Sequence, residues 1–137
     1  MYSKKVIERF QDPQNGGGMH GANAIGEVNG KAGDIIRMYL KVDENTLEIE
    51  NSHFKTFGCC GAIVASDVAC DLVKGKKLDD ALGVSSEDIL DTMGGLPSEK
   101  RDCAILAEQS IKAAVKDFYD RKEKEAKKAE KAAKKSK

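Results

Sequence analysis

Phe54-Lys55-Thr56-Phe57-Gly58-Cys59-Cys60-Gly61-Ala62-Ile63 is the stretch on which the fold turns. An alternating, β-favouring run ends at Gly58, and an apolar, helix-like run begins just after Cys60. Two thiols therefore stand at a strand-to-helix junction. The first N–H groups of a helix have no intrahelical acceptor, and the helix dipole is positive there. A thiolate at such a place is stabilised, which lowers its pKa and favours nucleophilic attack and metal binding. Gly58 and Gly61 allow backbone conformations closed to other residues and a close approach by a ligand. One cysteine here would read as a small hydrophobe at a helix start. Two, between two glycines, read as chemistry.

Upstream, period-two alternation is clear. Ile36, Met38, Leu40 and Val42 face one way and Arg37, Tyr39 and Lys41 the other, which predicts a half-buried strand. Asp43-Glu44-Asn45 turns the chain, and Leu47 to Phe57 returns as the next strand. Ile25 to Val28 begins another, with Asn29-Gly30 as a hairpin-turn signal. Three strands in succession predict an antiparallel meander with one face to be covered. Before them, residues 3–11 predict a short helix capped by Ser3 and stopped at Asp12-Pro13. Asn15 to Gly18 reads as a mobile glycine loop. It lacks the strand–turn–helix frame and the lysine of a phosphate-binding loop.

Downstream, the chain reads helical. Ala62, Ile63, Ala65, Ala69, Leu72 and Val73 form one broad apolar face, with Gly75 as the C-cap and Cys70 as a core thiol on that face. Leu78 to Leu82 predicts one helical turn, and a short helix from Ser86-Glu87-Asp88 ends at Gly94-Gly95. The last helix starts near Asp102, a candidate N-cap, which puts Cys103 in its first turn as a second dipole-favoured thiol. Strands followed by helices give an α+β fold, a three-stranded antiparallel sheet covered by helices. His20 and His53 are the only histidines and are left out of the candidate site.

At 137 residues, 40% apolar and 34% charged, the chain predicts one domain with a polar appendage. No apolar run has membrane-spanning length, and Met1-Tyr2-Ser3-Lys4-Lys5 does not read as a signal peptide, so no membrane partner is expected and the expected location is cytoplasmic. Four cysteines in that setting point to metal or catalysis before disulfides, although none is in a C-x-x-C zinc pair. The zero net charge hides a division. Residues 121–137 carry nine basic and three acidic groups, net +6, and residues 1–120 carry fourteen and twenty, net −6. The expected organisation is a domain over residues 1–120 and a Lys/Ala/Glu-rich tail over 121–137, frayed helix or disordered, because a helix there buries nothing. With no aromatic residue after Tyr119, nucleic-acid binding is not expected.

The order of segments resembles the NifU/IscU-type iron–sulfur cluster scaffold proteins over about residues 2–119. The matching pieces are Tyr2-Ser3-Lys4-Lys5-Val6-Ile7, Asp12-Pro13-Gln14-Asn15, Gly33-Asp34, Phe54-Lys55-Thr56-Phe57-Gly58-Cys59, Val73-Lys74-Gly75-Lys76, Gly95-Leu96-Pro97 and Cys103-Ala104-Ile105-Leu106-Ala107-Glu108. The resemblance implies a site in which Asp34, Cys59 and Cys103 bind metal. It also implies a cysteine desulfurase as sulfur donor and apoproteins as recipients. Three departures stand out. The family's first cysteine is Ala32, the glycine after its second is Cys60, and Asp102, a further oxygen donor, precedes its third. The proline-rich segment that helps recruit an Hsp70-type chaperone in many members reads Leu96-Pro97-Ser98-Glu99-Lys100 here.

The cofactor-binding candidates are therefore Asp34, Cys59, Cys60, Asp102 and Cys103, with Asp34, Cys59 and Cys103 as metal ligands. Thiolates suit iron–sulfur clusters or zinc, and a carboxylate can complete the shell. A [2Fe–2S] cluster is expected ahead of a [4Fe–4S] one, with zinc as the alternative, on a monomer or homodimer. Three functions fit. One is a non-enzymatic scaffold for a labile cluster. Another is a persulfide carrier for a thiolating enzyme, in which a neighbouring thiol releases reduced sulfur. The third is a zinc-bound regulator of a desulfurase.

Overall fold

The computed structural model describes residues 2–97 and 100–135. Its order is α1 (Lys4–Gln11), β1 (Ala24–Asn29), β2 (Ile35–Val42), β3 (Ile49–Phe57), α2 (Cys60–Val73), α3 (Leu78–Ala81), α4 (Ser86–Met93) and α5 (Asp102–Lys135). The strands pair antiparallel in the order β1-β2-β3. The α+β reading holds.

The sheet buries one face. Ile36, Met38, Leu40 and Val42 of β2 are all buried, Arg37 and Lys41 are exposed, and Tyr39, expected with those two on the outer side, is buried as well. On β3 the register shifts opposite Lys41 and Val42, so that Val42 pairs with Ile49 and Lys41 with Asn51. That bulge lets Ile49 and Ser52, three residues apart, both be buried. Leu47 turns with φ +63, so the strand starts two residues later than the alternation suggests.

Two helices cover this face. α2 lies along β3 and α5 along β1. α2 is buried on more than its expected face: Val64, Ser66, Asp67 and Val68 are buried along with Ala62, Ala65, Ala69 and the core thiol Cys70. Small and β-branched residues on nearly every side suit a helix enclosed by others. Gly26 of β1 is what brings α5 close. A Cβ there would stand 2.3 Å from the Ala114 nitrogen. The Asp117 carboxylate accepts from the Ile25 N–H at 2.8 Å and ties the same strand to α5.

Local signals explain the helix ends. The Ser3 hydroxyl accepts from the Val6 N–H at 3.2 Å. Ser85 and Asp88 form a reciprocal capping box on α4, which ends at Gly94 with φ +86. α2 stops at Val73 with Lys74 in the capping position, and Gly75 follows with φ +82. Asp102 is the first helical residue of α5, one place inside the expected cap, and the Arg101 carbonyl accepts from the Ala104 N–H at 3.1 Å. Beyond residue 120, α5 continues without a break to Lys135, and residues 123–131 are exposed.

Two connections differ from expectation. The β1–β2 link spans Gly30 to Asp34 rather than a two-residue Asn29-Gly30 turn, and its positive φ falls on Gly33. The Asn15–Gly18 segment, read as mobile, is tied down along the free edge of β3. The Phe54 N–H donates to the Asn15 carbonyl at 3.0 Å, and the Gly17 N–H donates to the Phe54 carbonyl at 2.9 Å. Asn15 is 1% exposed because its side chain donates to Asp67 and Asp71, which Arg9 also bridges at 2.8 Å each. The extra residues compensate buried polar groups that the sequence pattern alone left unpaired.

Candidate metal centre

Three chain segments meet at the end of the sheet where β3 runs into α2. The Gly30–Asp34 loop brings Asp34. It is folded by the Gly30 N–H donating to the Asp34 carbonyl at 2.7 Å and the Gly33 N–H donating to the Gly30 carbonyl at 3.2 Å. Cys59 is the N-cap residue of α2, in extended backbone conformation, and its carbonyl accepts from Ala62 and Ile63. Cys103 lies in the first turn of α5. Both thiols thus stand at helix starts, where the dipole favours negative charge.

The ligand atoms of Asp34, Cys59 and Cys103 all lie within 4.8 Å of one another, and the two sulfurs are 3.5 Å apart. Bonds of about 2.3 Å to a tetrahedral ion place sulfurs about 3.8 Å from each other, so this spacing fits a thiolate-bound metal. Among the described residues this is the one such grouping. Cys60 and Asp102 do not join it. Cys60 lies outside the group although its thiol feels the Cys59 charge, and Asp102 is exposed at the first position of α5. His20 and His53 also stand apart, and the His53 ring packs 3.3 Å from the Gly18 carbonyl.

The glycines around the centre leave room for it. A Cβ at Gly58 would sit 2.8 Å from Asp34 Oδ1, and one at Gly61 would sit 3.4 Å from Cys103 Sγ. Leu96 packs over Gly61, apolar cover on one flank of the sulfurs.

Electrostatics separate the thiols. Burial opposes ionisation of Cys59, yet its pKa is lowered. The Ala62 and Gly61 amides, the Cys103 thiol and the Tyr2 hydroxyl all favour its thiolate. No amide closes a true cap bond to the sulfur, so the amide contribution is that of oriented dipoles. Cys103, 4% exposed, is pushed up to about 12 by burial first, then by the Cys59 thiolate and the Asp34 charge. Cys60 is raised by burial and by the Cys59 charge. Of Cys59 and Cys103, Cys59 is the thiol that ionises first. Cys70 is a core thiol, pushed up to about 12 by burial, with its sulfur 3.6 Å from Met38 Sδ.

Tyr2 is the site residue that sequence reasoning missed. Its hydroxyl stands beside Cys59 and Cys60 and is pushed up to about 12, by burial first and then by the Cys59 charge. A lone aromatic before a helix has no periodicity to mark it, and only the matching Tyr2-Ser3-Lys4 piece held a signal.

A family described as the NifU-like N terminal domain matches residues 1–126. The chain belongs to that family. Its relatives include a nitrogen fixation protein NifU of Azotobacter chroococcum, 45% identical over 118 residues. That match takes in 85% of this chain and 38% of the relative, so the chain spans well under half of that protein's length. An iron-sulfur cluster assembly scaffold protein IscU of Archaeoglobus fulgidus is 38% identical over 120 residues, 87% of this chain and 77% of the relative. The solved N-terminal structure of a nitrogen-fixing NifU-like protein from Brucella abortus superposes with a TM-score of 0.65 at 17% identity, covering 87% of this chain and 94% of that one. At that identity it shows the shared fold alone. As a NifU-like domain, the chain differs where the resemblance placed a first cysteine: Ala32 is exposed and offers no donor.

Proposed function

We propose that this chain is an iron–sulfur cluster assembly scaffold. It receives sulfur from a cysteine desulfurase, holds a labile cluster at Asp34, Cys59 and Cys103, and passes it to apoproteins. The observation that carries this reading is the convergence of two thiols and one carboxylate within 4.8 Å, at helix starts and beside the protein surface. The cluster is cargo. Thiolates bind soft iron strongly, and the Asp34 carboxylate is the harder donor and the weaker partner for it. A shell with one such donor, and no fourth protein ligand among the described residues, releases its cargo more readily than a four-cysteine shell. The [2Fe–2S] form suits so few donors better than a cubane.

The low pKa of Cys59 supports the second reading, persulfide carriage. The Cys59 thiolate attacks the outer sulfur of a donor persulfide, forming its own persulfide and releasing the donor thiolate. The closest resolving thiol is Cys103, 3.5 Å away, and not the sequence neighbour Cys60. Its attack on the Cys59 sulfur forms a Cys59–Cys103 disulfide and releases hydrosulfide. Zinc on the same three donors is the third reading, with the chain as a desulfurase regulator.

Anaerobic reconstitution with iron, a sulfur donor and a cysteine desulfurase decides among them, with iron, zinc and acid-labile sulfide counted on one sample. Visible absorbance with iron and sulfide in comparable amounts, lost in Cys59→Ser, Cys103→Ser and Asp34→Ala, supports the scaffold. Sulfide-free protein with a persulfide on Cys59 and no effect of Asp34→Ala assigns a carrier instead. Zinc alone assigns a regulator.

A further inference from the structure

The three donors that meet among the described residues would leave a tetrahedral metal one position short, and the fold determines what can reach it. Cys60 is not among the donors that meet, although it adjoins Cys59 in sequence. Ala32, on the same loop as Asp34, is exposed and bears only a methyl group. Beside it is a cavity of about 410 Å³ between the Gly30–Asp34 loop and the first turns of α5. Its walls include Lys31, Ala32, Asp34, Asp102, Ile105 and Gln109. Asp34 belongs to both the cavity and the donor set, so the cavity meets the donor set at that residue.

We propose that this cavity is a subsite for a low-molecular-weight charged thiol, which completes the metal shell from outside the protein. The proposal rests on the reading of Asp34, Cys59 and Cys103 as metal ligands. Size and chemistry select the ligand class. Small-molecule pockets begin near about 300 Å³, and this one accommodates an amino-acid thiol or a short thiol peptide. Lys31 offers a cation for a carboxylate, Asp102 an anion for an ammonium group, and Ile105, 42% exposed, an apolar wall for the carbon chain. The step is ligand exchange without redox change. The thiol binds as thiolate, its proton passes to solvent, and a metal-bound water leaves. Metal centres with three protein ligands keep such a fourth position for exchangeable molecules.

The test uses Co²⁺ as a coloured probe on the reduced full-length chain under argon, followed by addition of L-cysteine. Co²⁺ alone should give a tetrahedral spectrum with the charge-transfer intensity of two thiolates, and L-cysteine should raise it by one thiolate more. At a thiol concentration ten times its dissociation constant, the apparent Co²⁺ affinity should rise about tenfold by linkage. Neutral 2-mercaptoethanol should be weaker, and Lys31→Glu should weaken L-cysteine without changing the spectrum of Co²⁺ alone. Ala32→Cys should give the three-thiolate intensity at once and make added thiol ineffective.

A Co²⁺ spectrum unmoved by L-cysteine overturns the subsite and leaves the metal centre standing. Failure to bind Co²⁺ overturns both. A three-thiolate spectrum without added thiol, growing with protein concentration, assigns the position to a second copy of the chain and also overturns the proposal.

Discussion

Cys59 and Cys103 are 44 residues apart in sequence, yet their sulfurs stand 3.5 Å from each other, each at the start of a helix. The Cys59 pKa is lowered and that of Cys103 is raised, so Cys59 loses its proton first. In metal-free, reduced protein, the pH midpoint of Cys59 alkylation should lie below those of Cys60 and Cys103. Cys103→Ala should move the Cys59 midpoint upward, because a donor to its thiolate is lost. Mass spectrometry of alkylated peptides across pH measures this. Equal midpoints for Cys59 and Cys60 would refute the assignment.

Gly58→Ala tests the geometry of the centre. The added Cβ falls 2.8 Å from Asp34 Oδ1, so the carboxylate must swing aside. Co²⁺ affinity should fall by on the order of ten to a hundredfold, the range for a disturbed supporting contact. The melting temperature should fall less than the metal affinity, since the closest clash is with the Asp34 side-chain end, while the Ala62 Cβ at 3.1 Å must give by only a few tenths of an ångström. Unchanged affinity would mean that Asp34 is not a ligand.

Gly26→Ala should be among the most damaging single-methyl additions in the chain. Its Cβ would meet α5 backbone at 2.3 Å, with no flexible side chain to move. Overpacking against rigid backbone costs about 3 kcal/mol or more. Urea unfolding that shows no loss, or the gain of about 0.5–1 kcal/mol that Gly→Ala ordinarily brings in an open strand, would show that α5 is not seated on β1 in this way.

Acid should loosen the Asn15 segment through Asp71. Burial alone would raise this carboxyl, but hydrogen bonds from Asn15 and Arg9 hold it below the ordinary aspartate value. A folded pKa below the unfolded one contributes stability that is complete above the unfolded value and is lost as pH falls through the folded one. The stability gap between wild type and Asp71→Asn should therefore narrow between about pH 5 and pH 3. A gap independent of pH would exclude this role. The side chain is 38% exposed, so solvent screening keeps the effect small.

Truncation after residue 120 should leave the fold intact. Among the described residues the tail touches the body through the Lys122–Glu44 and Arg121–Asp117 pairs and through Lys122 over the Phe118 ring, part-exposed contacts of the kind worth about 1 kcal/mol or less each. Thermal unfolding of residues 1–120 against the full chain checks this. A large drop in melting temperature would assign the α5 extension a structural part.

By itself, the sequence determined what short-range chemistry controls. Period-two alternation placed β2, Ser3 and Gly94 marked helix ends, and the Gly58-Cys59-Cys60-Gly61 run marked the strand-to-helix junction. Those signals are local, so they survive without the rest of the fold. Tertiary structure alone decided which donors meet. Adjacency in sequence suggested Cys60, but a helix turns successive side chains to different sides, and the partner of Cys59 came from α5. Tyr2 reached the site, and Asn15 sealed the edge of β3, through contacts with distant residues. Asp102 moved from cap to first turn because helix ends shift by a residue without changing the pattern that predicts them.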